Sequence, residues 1–205
     1  MTFAVFRARG YTAVELLMAI SVFGIGVAGI ISMEKVTSAS NQDAKNLAIA
    51  THIAESWLDV LQADGAAWNH PSPQNSVSDL QTDTVWLQQV IPTPNTWFLP
   101  QYEAVRFNFG PAFDALGNPV NTTNLTNAVF CSHLRLSWLY PENASSGNGL
   151  IRAEVRVFWL RDGQSSPQAS VSPCAAAMPI GSISGNSSSF HFVQKITAIR
   201  ENMTQ

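Results

Sequence analysis

Charge is scarce in this chain: of its 205 residues only 12% are Asp, Glu, Lys or Arg, and the formal net charge is −3. The basic footprint of a nucleic-acid binder is therefore missing, and no nucleic acid is expected as a partner. Cysteine is scarcer still. Cys131 and Cys174 are far apart and lack the short C-x-x-C spacing of a zinc or thioredoxin site. A single disulfide is the economical reading, with two buried free thiols as the alternative. A disulfide requires an oxidising compartment such as a bacterial periplasm. The four histidines, His52, His70, His133 and His191, share no metal-ligand spacing. There is no G-x-S-x-G elbow, no P-loop and no H-E-x-x-H. The expectation is a protein that is not an enzyme and uses no cofactor or metal.

What the sequence does have is apolar residues, 46% of the total, enough for one sizeable domain. They begin at the N-terminus. Arg7 and Arg9 precede Gly10, and from Leu16 to Met33 eighteen residues carry no charge, with Glu15 the last charged residue before Glu34. Such a run is about the minimum that spans a bilayer core as a helix, and the arginines place the leader in the cytoplasm. An ordinary secretory signal, cut near Ser38 and Ala39, is the alternative, but its apolar region is usually only about 7–15 residues.

Two residues at this junction call for chemistry. Gly10 has no side chain, so a protease cleft can approach its carbonyl; the plainer reading is a breaker before a helix. Glu15 is a carboxylate at the edge of a lipid core, which costs a few kcal/mol unless it is paired or hydrated. Thr12-x-x-Glu15 has the capping-box pattern, which would compensate it locally. Gly24-Ile25-Gly26-Val27-Ala28-Gly29 matches G-x-G-x-x-G literally, but dinucleotide binding is rejected because no strand precedes it. Gly24, Gly26 and Gly29 instead suit close helix contact, with Gly24 and Ala28 as a small-xxx-small pair, or local unwinding.

The stretch from Gly10 through Tyr11 and Glu15 to Ile20 closely resembles the type III signal of type IV prepilins: a short basic leader, a glycine, an aromatic residue, then glutamate four positions on. The resemblance covers about the first thirty residues. It implies that a membrane-embedded prepilin peptidase cuts between Gly10 and Tyr11 and N-methylates Tyr11. It also implies that Glu15 neutralises the new α-amino group on an adjacent subunit during assembly. The family usually has phenylalanine at the position of Tyr11, and major pilins often carry proline where this chain has Ser32. The run Phe23–Ile31 followed by Leu47–Gly65 loosely resembles PilV-type minor pilins. The implied partners are the peptidase, other minor pilins and the major pilin, an inner-membrane assembly platform and a tip adhesin. The implied location is the bacterial inner membrane, single-pass with the C-terminus periplasmic, and then the pilus filament. Type II secretion pseudopilins share this N-terminal logic, and a membrane-tethered periplasmic binding domain that never polymerises is the alternative of another class.

Beyond the membrane, Val36, Leu47, Ala50, Ile53, Ala54, Trp57, Leu58 and Leu61 recur at helical spacing, and Asp64-Gly65 supplies a stop. A helix from about Tyr11 to Ala63 would be roughly 80 Å long at 1.5 Å per residue. Residues 69–78 read as a loop, and Asp79 to Ile91 as a short helix. Alternation predicts strands at Tyr102–Phe109, Val129–Tyr140, Leu150–Arg161 and Phe190–Ile199, with a Ser/Pro/Gly/Ala loop from Gly163 to Ser189. Trp138 and Trp159 are assigned to the core. A Cys131–Cys174 bridge would tie that loop to the sheet; pilins often have a comparable C-terminal disulfide-closed region.

The expected organisation is a leader at 1–10, a transmembrane and assembly half-helix at 11–33, an amphipathic half-helix at 34–64, and a periplasmic globular domain at 65–205. The fold class is α+β and pilin-like, with the long helix packed on a roughly four-stranded antiparallel sheet.

Overall fold

The computed structural model describes residues 10, 12–70, 80–141, 149–161, 166 and 172–203. Residues 1–9 of the expected leader, Tyr11, residues 71–78 of the first expected loop with Asp79, and residues 163–165 and 167–171 of the last expected loop lie outside these. The chain divides into two units, residues 1–45 and 46–205.

In the first unit the described residues form the start of α1, a helix assigned as Ala13–Gly65. Every described side chain here is exposed, and the helix is long and apolar enough to cross a membrane. Its hydroxyls fit that solvent. Ser21 Oγ donates to the Leu17 carbonyl (2.8 Å), Ser32 Oγ to Ala28 (3.0 Å) and Thr37 Oγ1 to Met33 (2.9 Å). These three hydroxyls are satisfied within the helix, as a lipid environment demands.

In the second unit α1 continues and becomes one-sided. Ala50, Ile53, Ala54, Trp57 and Leu61 are fully buried, the stripe that a period of 3.6 residues produces. The predicted stripe extended further: Leu47 and Val36 are 51% and 72% exposed, because the domain's core begins only one turn after Leu47. The helix ends where Gly65 passes so close to Ile199 that a β-carbon there would overlap that side chain. Asp64, fully buried, turns back into the domain. Its carboxylate accepts the backbone N–H groups of Val85 (2.7 Å), Trp86 (2.9 Å) and Leu87 (3.1 Å), and so caps a 3-10 turn at Leu87–Val90. Among the described residues that turn is what forms of the expected helix before Ile91.

The sheet has six strands rather than four. β1 (Asn69–His70) stands apart and pairs parallel with β8 (Asn202–Met203). The main sheet is built from β2 (Trp97–Phe98), β3 (Ala112–Phe113), β4 (Pro119–Val120), β5 (Phe130–Tyr140), β6 (Leu150–Leu160) and β7 (Phe190–Arg200). Its order is β4-β3-β5-β6-β7, with β2 also on β5, and every pairing is antiparallel. The predicted β5–β6 hairpin and the last strand are present. The predicted strand at Tyr102–Phe109 is not: Glu103 and Phe109 form an isolated bridge, and the residues between them close into a loop. The Glu103 carboxylate accepts the N–H groups of Val105, Arg106 and Phe107 at 2.6–2.8 Å, which leaves Val105 95% exposed. Desolvation raises the Glu103 pKa, but these three bonds and the Arg106 charge outweigh it and hold the carboxyl below its usual range.

One face of the sheet carries Leu134, Leu136, Ala153, Val155, Val157 and Trp159 into the main core with Trp57. Trp57 is fixed from three sides. Its Nε1 donates to Ser132 Oγ (2.8 Å), and its ring meets Trp86 and Phe109 edge-on at 5.3 and 4.8 Å. Trp159 is buried as expected; Trp138 is half-buried against Trp68. The opposite face has a second core, in which Ala112, Cys131, Phe158, Cys174, Met178, Ile183 and Phe190 pack together. The helix α2 (Ile180–Gly185), which lies inside the expected loop, supplies Ile183.

Candidate functional site

The sequence points to the N-terminal junction first. Gly10 is described and exposed, whereas Tyr11 lies outside the described residues. Thr12 and Glu15 form the reciprocal capping box: the Glu15 N–H donates to Thr12 Oγ1 (3.3 Å) and the Thr12 N–H donates to Glu15 Oε2 (3.4 Å). Both bonds are long and exposed, so the carboxylate is held lightly. Gly24, Gly26 and Gly29 lie within continuous helix, and a β-carbon at any of them would meet nothing within 4 Å. The single chain thus gives these glycines no packing partner.

Cys131 and Cys174 are joined in a disulfide, with their Cα atoms 5.1 Å apart. Cys131 is the second residue of β5, and the bridge fastens the segment from Cys174 onward over the outer face of the sheet.

Under that cover lies a cluster that sequence alternation had turned toward solvent. Register places His133 opposite Arg156, Arg135 opposite Glu154, and Trp97 opposite Arg135. Residues directly opposite share a face. Instead of solvated charges, His133, Glu154 and Arg156 are all buried. Glu154 is shared between Arg135 (Nη2 to Oε2, 2.5 Å) and Arg152 (Nε to Oε1, 3.1 Å), and also accepts from Gln194 Nε2 at 2.8 Å. Among the described residues no carboxylate pairs with Arg156; it donates to Ser184 Oγ (3.2 Å) and to His133 Nδ1 (3.0 Å). Aromatic faces complete its surroundings. The Trp97 ring carries Arg135 at 4.8 Å and Arg156 at 4.5 Å, and Phe192 carries Arg156 at 5.6 Å.

These neighbours set the protonation states. Burial, then the Arg156 charge, lowers the His133 pKa to about 3, so the ring is neutral and its Nδ1 is the acceptor that a donor-only guanidinium requires. Burial, then Arg135, lowers Arg156 to about 10, and it remains a cation at neutral pH. Among the described residues no group of three His, Cys, Asp or Glu side chains could hold a metal ion. The cluster binds the cover segment to the sheet. The sequence put Cys131, His133 and Arg135 on one face by alternation, but no local pattern announced that the bridge would lay chain over that face.

No family model matches the chain, and neither does any curated protein or solved structure.

Proposed function

We propose that the chain is a minor pilin, a membrane-inserted subunit of a type IV pilus that is cut after Gly10 and takes part in starting or building the filament. The observation that carries this reading is the first half of α1, a membrane-length apolar helix with no buried residue in its apolar window and a solitary acid, Glu15, five residues past Gly10. In lipid such a helix is satisfied by acyl chains, and in a filament by copies of itself. Cleavage would free a cationic α-amino group at Tyr11, and Glu15 is its natural counter-charge because the one capping bond its carboxylate accepts, from the Thr12 N–H at 3.4 Å, is long and weak. The disulfide supports a domain on the oxidising side of the membrane. The prepilin peptidase, the other pilins, the assembly platform and a tip adhesin are the partners this reading requires.

A type II secretion pseudopilin has the same requirements. One observation favours the second class of reading, a tethered domain that never polymerises: the capping box already gives Glu15 a local role. Mass spectrometry of the mature chain separates these. A terminus at N-methylated Tyr11, together with filaments lost when Glu15→Gln is the sole change, supports the pilin. An intact leader, or incorporation unchanged by Glu15→Gln, sinks it. Loss of filaments with secretion intact on deletion of the chain distinguishes pilus from pseudopilus.

A further inference from the structure

β7 is the terminal strand of the main sheet, paired with β6 on one side only. Two hydrogen bonds that flank the ladder fix its backbone parity. Arg161 N donates to Ser189 O and Glu201 N to Gly149 O, both at 3.0 Å, and between them the register runs without a shift from Leu150 opposite Arg200 to Leu160 opposite Phe190. Hydrogen-bonded and non-hydrogen-bonded pairs alternate in an antiparallel ladder. Residues 191, 193, 195, 197 and 199 therefore turn their N–H and C=O groups to β6, and Phe192, Gln194, Ile196 and Ala198 turn theirs away. Among the described residues no hydrogen bond reaches the backbone groups of these four. Gln194, Ile196 and Ala198 are exposed, and Phe192 is half-buried.

Natural edge strands are usually short, bulged, proline-bearing or guarded by an edge-pointing charge. β7 has eleven residues, no bulge and no proline. Its one lysine, Lys195, is engaged with Glu55 of α1 at 3.4 Å. The side chains beside this edge favour one kind of occupant. Arg200 lies on the outer face of β7, and Arg152 faces the neighbouring Ala198 across the ladder. Both are partly or fully exposed, and the nearby carboxylate, Glu154, is already divided between Arg135 and Arg152. β7 itself contains His191, Lys195 and Arg200 but no Asp or Glu, so a second copy of β7 would bring cations to cations.

We propose that β7 is a docking edge that takes up an extended segment of a different polypeptide by strand addition, with acidic side chains of that segment set on the outer face beside Arg200 and Arg152 and aliphatic ones on the other face beside Val193 and Thr197. Backbone pairing would supply the affinity, and the charge on the shared face would supply the specificity. The inference is independent of the pilin reading, because it involves neither cleavage nor Glu15.

The test uses the full chain in detergent micelles with two capped peptides, Thr-Val-Glu-Val-Glu-Val-Thr and its lysine counterpart Thr-Val-Lys-Val-Lys-Val-Thr, read by amide hydrogen exchange. The acidic peptide is expected to slow exchange at Phe192, Gln194, Ile196 and Ala198 by about tenfold or more, and the lysine peptide to leave it unchanged. Ala198→Pro removes one outward N–H while leaving the β6 ladder intact, so it should abolish the effect while exchange at Val193 and Thr197 stays slow. Arg200→Glu, at an exposed position, should reverse the preference toward the lysine peptide. Four results would overturn the proposal. Neither peptide protects the edge; both protect it equally; the four amides are already protected in the chain alone; or the chain forms a dimer that Ala198→Pro dissolves.

Discussion

Removing the Asp64 carboxylate tests how the long helix is joined to the domain. Asp64→Ala takes the acceptor from three backbone N–H groups, two of which belong to the buried residues Trp86 and Leu87. A buried donor deprived of its acceptor costs about 1–3 kcal/mol, and water entering the vacated space recovers part of that, so the expected loss is about 3–5 kcal/mol. Asp64→Asn retains an acceptor oxygen and should cost about 1–2 kcal/mol. Urea unfolding of the full chain in micelles, followed by tryptophan fluorescence, reports the change directly because Trp57 and Trp86 meet at 5.3 Å beside this site. At a slope of about 2 kcal/mol per molar, Asp64→Ala should lower the midpoint by about 2 M. A cost below about 1 kcal/mol, or an Asn variant no better than Ala, would refute the claim that this carboxylate organises the turn.

His133 gives the domain an acid sensitivity. Above its unfolded pKa of about 6.5 the ring is neutral in both states and contributes no pH dependence. Below that value the unfolded chain binds a proton which the native site refuses until about pH 3, so stability should fall by up to about 1.4 kcal/mol per pH unit through this window. His133→Gln should flatten the stability profile between pH 6 and about pH 4, measured by urea melts at each pH. Reducing the Cys131–Cys174 bridge, which closes a 43-residue separation, should cost about 3–4 kcal/mol and speed amide exchange around Met178 and Ile183 before the β5–β6 hairpin. Trp97→Ala removes the ring shared by Arg135 and Arg156 and should destabilise by about 1–3 kcal/mol, with Trp97→Phe costing less; equal effects in thermal melts would show that the two guanidiniums do not use the ring face.

Which elements were legible in the sequence follows from the length over which a pattern repeats. α1 has many periods in which to declare itself, and β5, β6 and β7 have eleven residues each, so alternation located all four to within a few residues. β2, β3 and β4 have two residues each, too few for any period. Tyr102–Phe109 alternated correctly and still formed no strand, because the Glu103 carboxylate offered the next backbone N–H groups a nearer acceptor than a neighbouring strand. The candidate site divides in the same way. The capping box of Thr12 and Glu15 and the pairing of Cys131 with Cys174 were readable from local motif and cysteine count. The Arg135, Glu154, Arg156 and His133 cluster was not, since polar residues on alternate strand positions normally mean water on that face.

The sequence by itself therefore determined a lipid-compatible helix with one acid at its head, a one-sided continuation that ends at Asp64-Gly65, a β5–β6 hairpin and the two sulfurs available for a bridge, because each depends on residues close together in the chain. Tertiary structure alone decided that both faces of β6 are covered, that Asp64 is an acceptor for residues some twenty positions ahead, that a histidine stays neutral beside an arginine, and that β7 pairs with β6 alone among the described strands. Those outcomes depend on which distant segments arrive to exclude water or to complete a hydrogen-bond ladder, and no local period encodes that arrival.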